Sequence, residues 1–388
     1  MQIPLSYSIR NLRRRPWRTA MTIGSAALVV FACVLVLSLS RGLHKRVGTS
    51  GEMSNLLLIS RKGQNIMFSD VKEDEIVDLG NLPGLAKGGS GEFLISPELM
   101  HVAWIETKEG GKTSRLPVQI RGVGPLAWDV HRSVRVKEGK LPSGPFEVLA
   151  GRTAYIKLGV APEKVVPGET LHFENQDWTV CGVFEAGNSL FESELWVNES
   201  DILTSLRRQT HSFVVLRLEG PNRVEAALRE FQQAGPFERS FKGWSERGYY
   251  EELSKSLNWV FWLSVFMVAA ITVAGVLAGI NTMYAAVMSR MREIATLRVL
   301  GFRRRDVLAG LIVESMIMAL AGGVVGLLAG SLANGVPMKM SQGAFYLSVD
   351  GLVIAVGLGL AFLMGFLGGL LPAIRCLRQT IPESFRAK

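Results

Sequence analysis

Four long apolar stretches, almost free of charged residues, interrupt an otherwise polar chain. The shortest has 22 residues, and as a helix it would extend about 33 Å, enough to cross a hydrocarbon core of about 30 Å. Buried helices of water-soluble proteins have apolar stretches of only about 10–14 residues. The pattern therefore predicts four transmembrane helices, over Thr19–Ser40, Val260–Met288, Val307–Leu332 and Leu352–Ile374.

The long segment between the first two apolar stretches has the pattern of a mixed domain. Short runs of β-branched and aromatic residues alternate with turn residues, as at Glu109-Gly110-Gly111-Lys112, which predicts a hairpin. Asp70–Leu79 is a polar helix candidate and Arg223–Gln233 an amphipathic one. The predicted strands are Leu56–Ser60, Val102–Glu106, Pro117–Val123, Val148–Ala150, Thr170–Phe173, Trp178–Phe184, Leu195–Val197 and Ser212–Leu218. The predicted fold class is a membrane α-helical protein with four transmembrane helices and an inserted extracytoplasmic α+β domain.

A helical seam precedes the second apolar stretch. Its apolar residues recur at intervals of three and four, and no Gly or Pro intervenes between Tyr249 and Val273. We expect the second transmembrane helix to extend outward as a stalk; the alternative is a short separate helix. The seam residues are Tyr250, Leu253, Leu257 and Val260.

These patterns divide the chain into nine predicted segments. The predicted extracytoplasmic domain covers residues 43–245, and the stalk with the second transmembrane helix covers 246–289. The other segments are an interfacial segment (1–18), helix one (19–42), a cytoplasmic loop (290–306), helix three (307–333), a short outer loop (334–351), helix four (352–374) and a tail (375–388).

The positive charge of the chain is confined to the segments that flank the predicted helices. Leu43–Lys255 carry 26 Lys and Arg against 29 Asp and Glu, whereas the remainder has 17 basic and 5 acidic residues. Cytoplasmic loops are enriched in Lys and Arg, so both termini and the loop around Arg298 are expected in the cytoplasm. No basic stripe interleaved with aromatic residues occurs in the large polar segment, which argues against nucleic-acid binding.

The loop Arg290–Asp306 has both positive charge and helical character. It contains six arginines, and Met291, Ile294 and Leu297 recur at a spacing of three before Gly301, where a helix would stop. One interpretation is a connecting loop without a partner, whose positive charge reflects only the positive-inside rule. The other is a surface helix on which a soluble partner docks and exerts force.

Residue patterns for catalysis, nucleotide binding or metal binding are not evident. Gly110-Gly111-Lys112-Thr113 comes nearest to a phosphate-binding loop, but a P-loop needs glycine where Glu106 stands. The five histidines match no zinc-binding spacing. We therefore expect neither a catalytic site, a metal site nor a bound cofactor in this chain.

Two features lie inside the third apolar stretch. Glu314 is an ionisable residue within the membrane. It is either a proton or ion relay, or a structural clasp to an arginine such as Arg298 or Arg303 or to backbone amides of a neighbouring helix. A glycine triplet at a strict period of four predicts close helix packing, either between helices three and four or across a dimer. The triplet is Gly322, Gly326 and Gly330.

In its order of motifs the chain resembles the FtsX/MacB-like permeases of ATP-binding cassette (ABC) systems. The resemblance extends over essentially the whole sequence, and the run Arg292–Gly301, REIATLRVLG, carries it most specifically. The other motifs are Asn11–Gly24, Leu82–Gly84, Ile120–Val123, Glu147–Gly151, Pro167–Glu169, Val180–Phe184, Pro372–Arg375 and Ile381–Arg386.

The resemblance implies a permease that works as a homodimer or heterodimer in a bacterial inner membrane, with two copies of a separate cytoplasmic ATPase that binds the ATP. Only 18 residues precede helix one, so this ATPase is expected in trans. The loop after helix two would be a coupling helix, and ATP-driven movement would reach the stalk and the external domain. The expected coupling residues are Arg292, Glu293, Ile294, Leu297, Arg298 and Gly301.

Two functions are compatible with this resemblance. The chain either exports or extracts an amphiphilic substrate, together with a periplasmic adaptor, or it activates an extracytoplasmic partner without moving cargo. The sequence does not separate these alternatives.

Overall fold

The computed structural model of the protein describes residues 16–109, 112–232, 240–340 and 343–378. The predicted interfacial segment before Pro16, the turn at Gly110-Gly111 and the motif Ile381–Arg386 lie outside these ranges. The chain forms two compact units. One contains the helices up to Gly42, Asn258–Val336 and the chain from Tyr346, and the other contains Leu43–Leu257 and Pro337–Phe345.

The described helices are numbered in chain order. They are α1 (Pro16–Gly48), α2 (Glu73–Asp78), α3 (Ala127–Val130), α4 (Ala154–Leu158), α5 (Glu199–Leu206), α6 (Pro221–Gln232), α7 (Glu246–Ser256), α8 (Asn258–Met288), α9 (Met291–Val299), α10 (Arg304–Ser331) and α11 (Gly351–Arg378).

The described strands are numbered in the same way. They are β1 (Asn55–Ser60), β2 (Ile95–Glu109), β3 (Lys112–Val123), β4 (Arg135–Gly139), β5 (Glu147–Gly151), β6 (Thr170–Phe173), β7 (Gln176–Glu185), β8 (Leu195–Asn198), β9 (Phe213–Arg217), β10 (Phe241–Ser245), β11 (Pro337–Met340) and β12 (Gly343–Tyr346).

Four helical stretches among the described residues are long and apolar enough to cross a membrane, as the hydropathy pattern predicts. They are Thr19–Gly48, Glu246–Met288, Arg304–Ser331 and Gly351–Arg375. The second stretch combines α7 and α8, which are interrupted at Leu257. The backbone ψ of Leu257 is 1°, far from the helical value of about −42°. The stalk is therefore two helices in succession, rather than the single helix that the absence of Gly and Pro predicts.

The glycine triplet of α10 packs against α1. A Cβ atom on Gly322 would lie 2.5 Å from the carbonyl oxygen of Ile23 and 2.7 Å from the Cβ of Ala26. A Cβ atom on Gly330 would lie 2.6 Å from a methyl group of Val34. The prediction that the triplet faces helix four or a second copy is therefore wrong. The spacing of the glycines marks one face of the helix but does not identify the neighbour on that face.

Helix α11 packs against α10 through glycines of its own. A Cβ atom on Gly365 would lie 2.9 Å from the Cα of Met316, and one on Gly369 would lie 2.8 Å from the Cβ of Ser315. Helix three contributes a glycine as well, since a Cβ atom on Gly323 would lie 2.5 Å from the Cβ of Ala361. The close packing of helices three and four therefore depends on small residues of both helices.

The second unit is built on a mixed β-sheet. Its strands lie in the order β10-β1-β9-β2-β3-β8-β5-β7-β4, and β6 pairs with β7. The pairs β3–β8 and β5–β7 are parallel, and the other pairs are antiparallel. The predicted fold class, four membrane helices with an inserted α+β domain, is confirmed.

Apolar side chains from the sheet and its helices form the core of this domain. One cluster surrounds Trp178 and includes residues of β3, β5, β7 and β8 together with α4 and α5. A second lies between β1, β9 and the helices α2 and α6. The sequence pattern misses β4 because its residues are mostly exposed and polar, as on the edge of a sheet. It also misses β10 and the hairpin β11–β12, which are only four or five residues long.

Candidate functional site

The segment between α8 and α10 folds as the short helix α9. It begins after Arg290 and ends at Val299, with Leu300 as its C-terminal cap. Gly301 follows with a backbone φ of +91°, a conformation that glycine adopts without steric cost. The predicted helix and its glycine stop are therefore both present. At the start of α10, the Asp306 carboxylate accepts a hydrogen bond from the backbone N–H of Arg303 at 3.2 Å.

One face of α9 is anchored in the helical unit. Met291, Ile294 and Ala295 are buried. Met291 and Ile294 belong to an apolar cluster with residues of α8, α10 and α11, namely Met283, Val287, Val307, Leu311, Met318 and Ala373. Ile294, which the resemblance places among the coupling residues, therefore holds the helix in place and does not belong to its outer surface.

The opposite face of α9 is exposed. Arg292 and Glu293 are exposed, as predicted for residues that meet a partner. Val299 and Leu300 are 66% and 67% exposed, and the sequence analysis did not assign them a role as contacts. Arg298 is half-buried. The side chain of Leu297 lies outside the described part of the structure. The outer surface of α9 thus combines two apolar side chains with an arginine and a glutamate.

A buried ion pair joins the start of α9 to the middle of α10. Nη1 of Arg290 lies 2.8 Å from Oε1 and 3.0 Å from Oε2 of Glu314. Both side chains are largely buried, with exposed fractions of 11% and 7%. Glu314 is therefore clasped by an arginine, as one of the two interpretations expects. Its partner is Arg290 rather than Arg298 or Arg303, because α8 ends beside α10 and places Arg290 level with Glu314.

The structure also contains a buried charge network in the external domain that the sequence analysis missed. Arg121 on β3 donates hydrogen bonds to Glu98 at 2.7 Å and to both carboxylate oxygens of Glu194 at 2.7 and 3.1 Å. Nε2 of His131 lies 2.6 Å from the other oxygen of Glu98, and its Nδ1 lies 3.4 Å from Glu246. All five side chains are less than 5% exposed.

The charged groups in this network shift one another's pKa values. Burial alone raises the pKa of Glu98, but the nearby positive charges of His131 and Arg121 outweigh burial and bring the pKa to about 2. Burial lowers the pKa of His131, yet Glu98 and then Glu246 raise it above the ordinary value. Burial raises the pKa of Glu246 more than His131 lowers it.

Two further buried charged residues of the same unit belong to its helical segments. Glu246, the first residue of α7, accepts hydrogen bonds at 2.9 Å from the backbone N–H of Glu52 and from the side chain of Asn55. Arg46 near the end of α1 lies 2.9 Å from Glu192. Removing one partner of a buried pair is strongly destabilising. The last residues of α1 and the start of α7 are thus part of the packed structure of this unit.

The sequence carried only a weak signal for the network. Glu98 and Glu194 stand within or beside apolar strand-forming runs. An acidic residue in such a run is not expected to be solvent-exposed, which indicates a buried carboxylate. Their partners are far away in sequence, and only the sheet order brings them together. Among the described residues, no group of three His, Cys, Asp or Glu side chains is arranged as a metal site.

Two protein-family models match the chain. The MacB-like periplasmic core domain matches residues 19–234, and the FtsX-like permease C-terminal region matches residues 264–381. The second match contains α9 and the Arg290–Glu314 pair.

Several curated proteins are similar over nearly all of this chain. The macrolide export ATP-binding/permease protein MacB of Marinobacter nauticus is 24% identical over 96% of this chain and 58% of its own length. MacB of Bordetella avium is 33% identical over 95% of this chain and 57% of its own length. The uncharacterized ABC transporter permease YvrN of Bacillus subtilis is 21% identical over 98% of both chains. The chain thus spans less than two thirds of the MacB proteins.

Among solved structures, the extracellular domain of the noncanonic ABC-type transporter YknZ from Gram-positive bacteria matches 49% of this chain and 99% of its own. The sequence identity is 14% and the TM-score is 0.36.

The family matches cover both the external domain and the helical region. The chain is a membrane protein that belongs to the FtsX/MacB-like permeases of ABC transporters.

Proposed function

We propose that this chain is the permease subunit that couples ATP hydrolysis by a separate cytoplasmic ATPase to movement of its own external domain. Movement of that domain would drive the export or extraction of an amphiphilic substrate. The proposal includes a second permease copy, an ATPase dimer and a periplasmic adaptor, with both termini on the cytoplasmic side of a bacterial inner membrane. ATP would bind to the partner ATPase and not to this chain.

The observation that carries the proposal is the two-faced character of α9. Its inner face is fixed by Met291, Ile294 and Ala295, so a force on the helix reaches the helices that it packs against. Its outer face exposes Val299 and Leu300, and such apolar residues surrounded by charge are typical of a protein–protein contact. A helix that served only as a tether would not need an exposed apolar pair.

The route from α9 toward the external domain follows the chain and its buried ion pairs. Arg290 links the end of α8 to Glu314 in α10. Helix α8 continues through Leu257 into α7, whose first residue, Glu246, is fixed in the external domain. A displacement of the coupling helix would therefore pass along the chain from α9 through α8 to α7.

The test is to purify the tagged full-length chain from its native membrane and to measure which ABC ATPase accompanies it. Wild-type protein should retain an ATPase and show ATP hydrolysis, and the double substitution Val299→Asp and Leu300→Asp should lose both. Val77→Asp is the matched control, because Val77 is 73% exposed on α2 of the external domain. If the wild-type chain brings down no ABC ATPase, the proposed function is wrong. If the double variant retains the ATPase as well as Val77→Asp does, the docking face is wrong.

A further inference from the structure

A narrow cavity runs between the membrane helices beside the Arg290–Glu314 pair. The space that the centre of a water molecule can occupy is about 50 Å³, the whole groove with its open mouth is about 700 Å³, and all four membrane helices line it. Ser25 of α1 lies at the cavity and is exposed, so the mouth opens on the side of α1. The cavity is therefore accessible from outside the helix bundle.

The lining of the cavity changes from polar to apolar along the helices. From Arg290, two residues beyond the end of α8, it runs along that helix past Ala286, Met283 and Thr282 to Gly279 and Gly275, a distance of about 22 Å at 1.5 Å per residue. On α10 it runs from Glu314 to Met318 and Ala319, again with the polar end nearer α9. This order matches an amphiphile that lies along the helices with its head group beside α9 and its chain toward the middle of the membrane.

The polar end has unused hydrogen-bonding capacity. Arg290 uses Nη1 to bind both oxygens of Glu314, and within the described residues no hydrogen bond is found for its Nε or Nη2. The guanidinium is only 11% exposed. The edge of the guanidinium that carries Nε and Nη2 therefore remains available to a ligand, and its geometry matches two oxygens of a phosphate.

Charge balance selects the kind of head group. Arg290 and Glu314 together are neutral, so a purely anionic lipid would leave a net negative charge within the membrane region, where an unbalanced charge is costly. A head group with both a phosphate and a primary ammonium adds no net charge. Its phosphate would face Arg290, and its ammonium would donate to Glu314 and to the hydroxyl groups of Thr22 and Thr282, which also line the cavity.

We propose that the cavity binds one phospholipid with an ethanolamine head group, taken from the leaflet on the α9 side. That this leaflet is the cytoplasmic one rests on the proposed function. The head group would contact Arg290, the residue from which α9 starts, so lipid occupancy would stabilise the position of the coupling helix relative to α10.

The experiment is native mass spectrometry of the purified full-length chain, titrated with phosphatidylethanolamine or phosphatidylglycerol. Wild-type protein should retain one phosphatidylethanolamine per chain in preference to phosphatidylglycerol. Arg290→Lys preserves the charge but removes the planar guanidinium group with its paired N–H donors. It should weaken retention of phosphatidylethanolamine about tenfold, or ~1.4 kcal/mol. Arg304→Lys is the matched control, because Arg304 is an exposed arginine of the same loop and should retain the lipid normally.

Should Arg290→Lys fail to fold, Ser25→Trp serves instead, since it places a large side chain at the mouth of the cavity and leaves the ion pair intact. Equal retention of both lipids would refute the selection by charge. Equal retention by wild type, Arg290→Lys and Ser25→Trp would refute the site. Dimers that carry no lipid would indicate that a second copy covers the cavity, which also refutes the proposal. No ATPase takes part in this measurement, so its outcome is independent of the test of the proposed function.

Discussion

The substitution Gly322→Ala tests how closely α10 and α1 pack. The new methyl carbon would lie 2.5 Å from the carbonyl oxygen of Ile23 and 3.1 Å from the backbone nitrogen of Ala27. These are main-chain atoms, which cannot rotate away as a flexible side chain could. The two helices must separate, and overpacking of this kind costs about 1–3 kcal/mol.

A matched control is available on α11, where a Cβ atom on Gly359 would have no neighbour within 4 Å. Alanine is preferred over glycine within a helix by about 0.5–1 kcal/mol. Gly359→Ala should therefore leave stability unchanged or raise it. Because both variants have the same propensity gain and only Gly322→Ala is overpacked, the free energy of unfolding of Gly322→Ala should be lower than that of the control by about 1–3 kcal/mol.

Reversible unfolding of the purified chain in mixed detergent micelles, followed by circular dichroism, measures both variants against wild type. The control distinguishes a packing effect from a general sensitivity of membrane helices to this substitution. If both variants shift stability equally, or if Gly322→Ala is neutral, the direct contact of α10 with α1 is incorrect.

Three further experiments test the other parts of the account. Glu314→Leu leaves Arg290 buried without its partner and should cost about 3–5 kcal/mol; the same unfolding assay should show that a second change, Arg290→Met, recovers most of the loss. Because the pKa of His131 is raised from 6.5, its stabilising effect is complete below that pH and is lost as the pH rises through the folded-state pKa. Hydrogen exchange in β2 and β3, corrected for intrinsic rates, should therefore become faster as the pH rises through the folded-state pKa of His131 in wild type. This acceleration should be absent over the same pH range in the double variant His131→Gln and Glu246→Gln, which also removes the raised pKa of Glu246. Gly301→Val places a β-branched residue at a φ of +91° and should reduce ATPase co-purification, whereas Gly301→Asn should retain most of it because asparagine tolerates positive φ.

Hydropathy and local turn signals predict those parts of the structure that depend on nearby residues. The four membrane helices follow from the length of the apolar stretches, and the end of α9 follows from Gly301. Both depend on residues within a few turns of one helix. For the same reason, the existence of α9 could be read directly from the spacing of Met291 and Ile294.

Features that depend on the choice of a distant partner could not be predicted in this way. Six arginines lie in the loop near Glu314, and only the relative placement of α8 and α10 selects Arg290. Likewise, the spacing of Gly322, Gly326 and Gly330 does not reveal that these glycines pack against α1. The network of Glu98 and Arg121 depends on the order of the strands in the sheet, which no local pattern specifies.

The exposed residues of the proposed contact were missed for a different reason. Val299 and Leu300 are apolar, and in a sequence such residues are normally assigned to a core. Their exposure follows from the helical phase of α9, in which Met291, Ile294 and Ala295 face inward. The charged residues Arg292 and Glu293 were easier to place, since charge at a membrane face is rarely buried.

The central claim is that the outer face of α9 contacts an ABC ATPase, and site-specific photo-crosslinking tests it most directly. A photoreactive amino acid is placed at Leu300 in the full-length chain, and in a second variant at Leu332, an apolar residue that is 83% exposed just beyond the opposite end of α10. After irradiation of native membranes, we predict a crosslink to an ABC ATPase from position 300 and none from position 332. A crosslink from neither position, or equal crosslinks from both, would contradict the account.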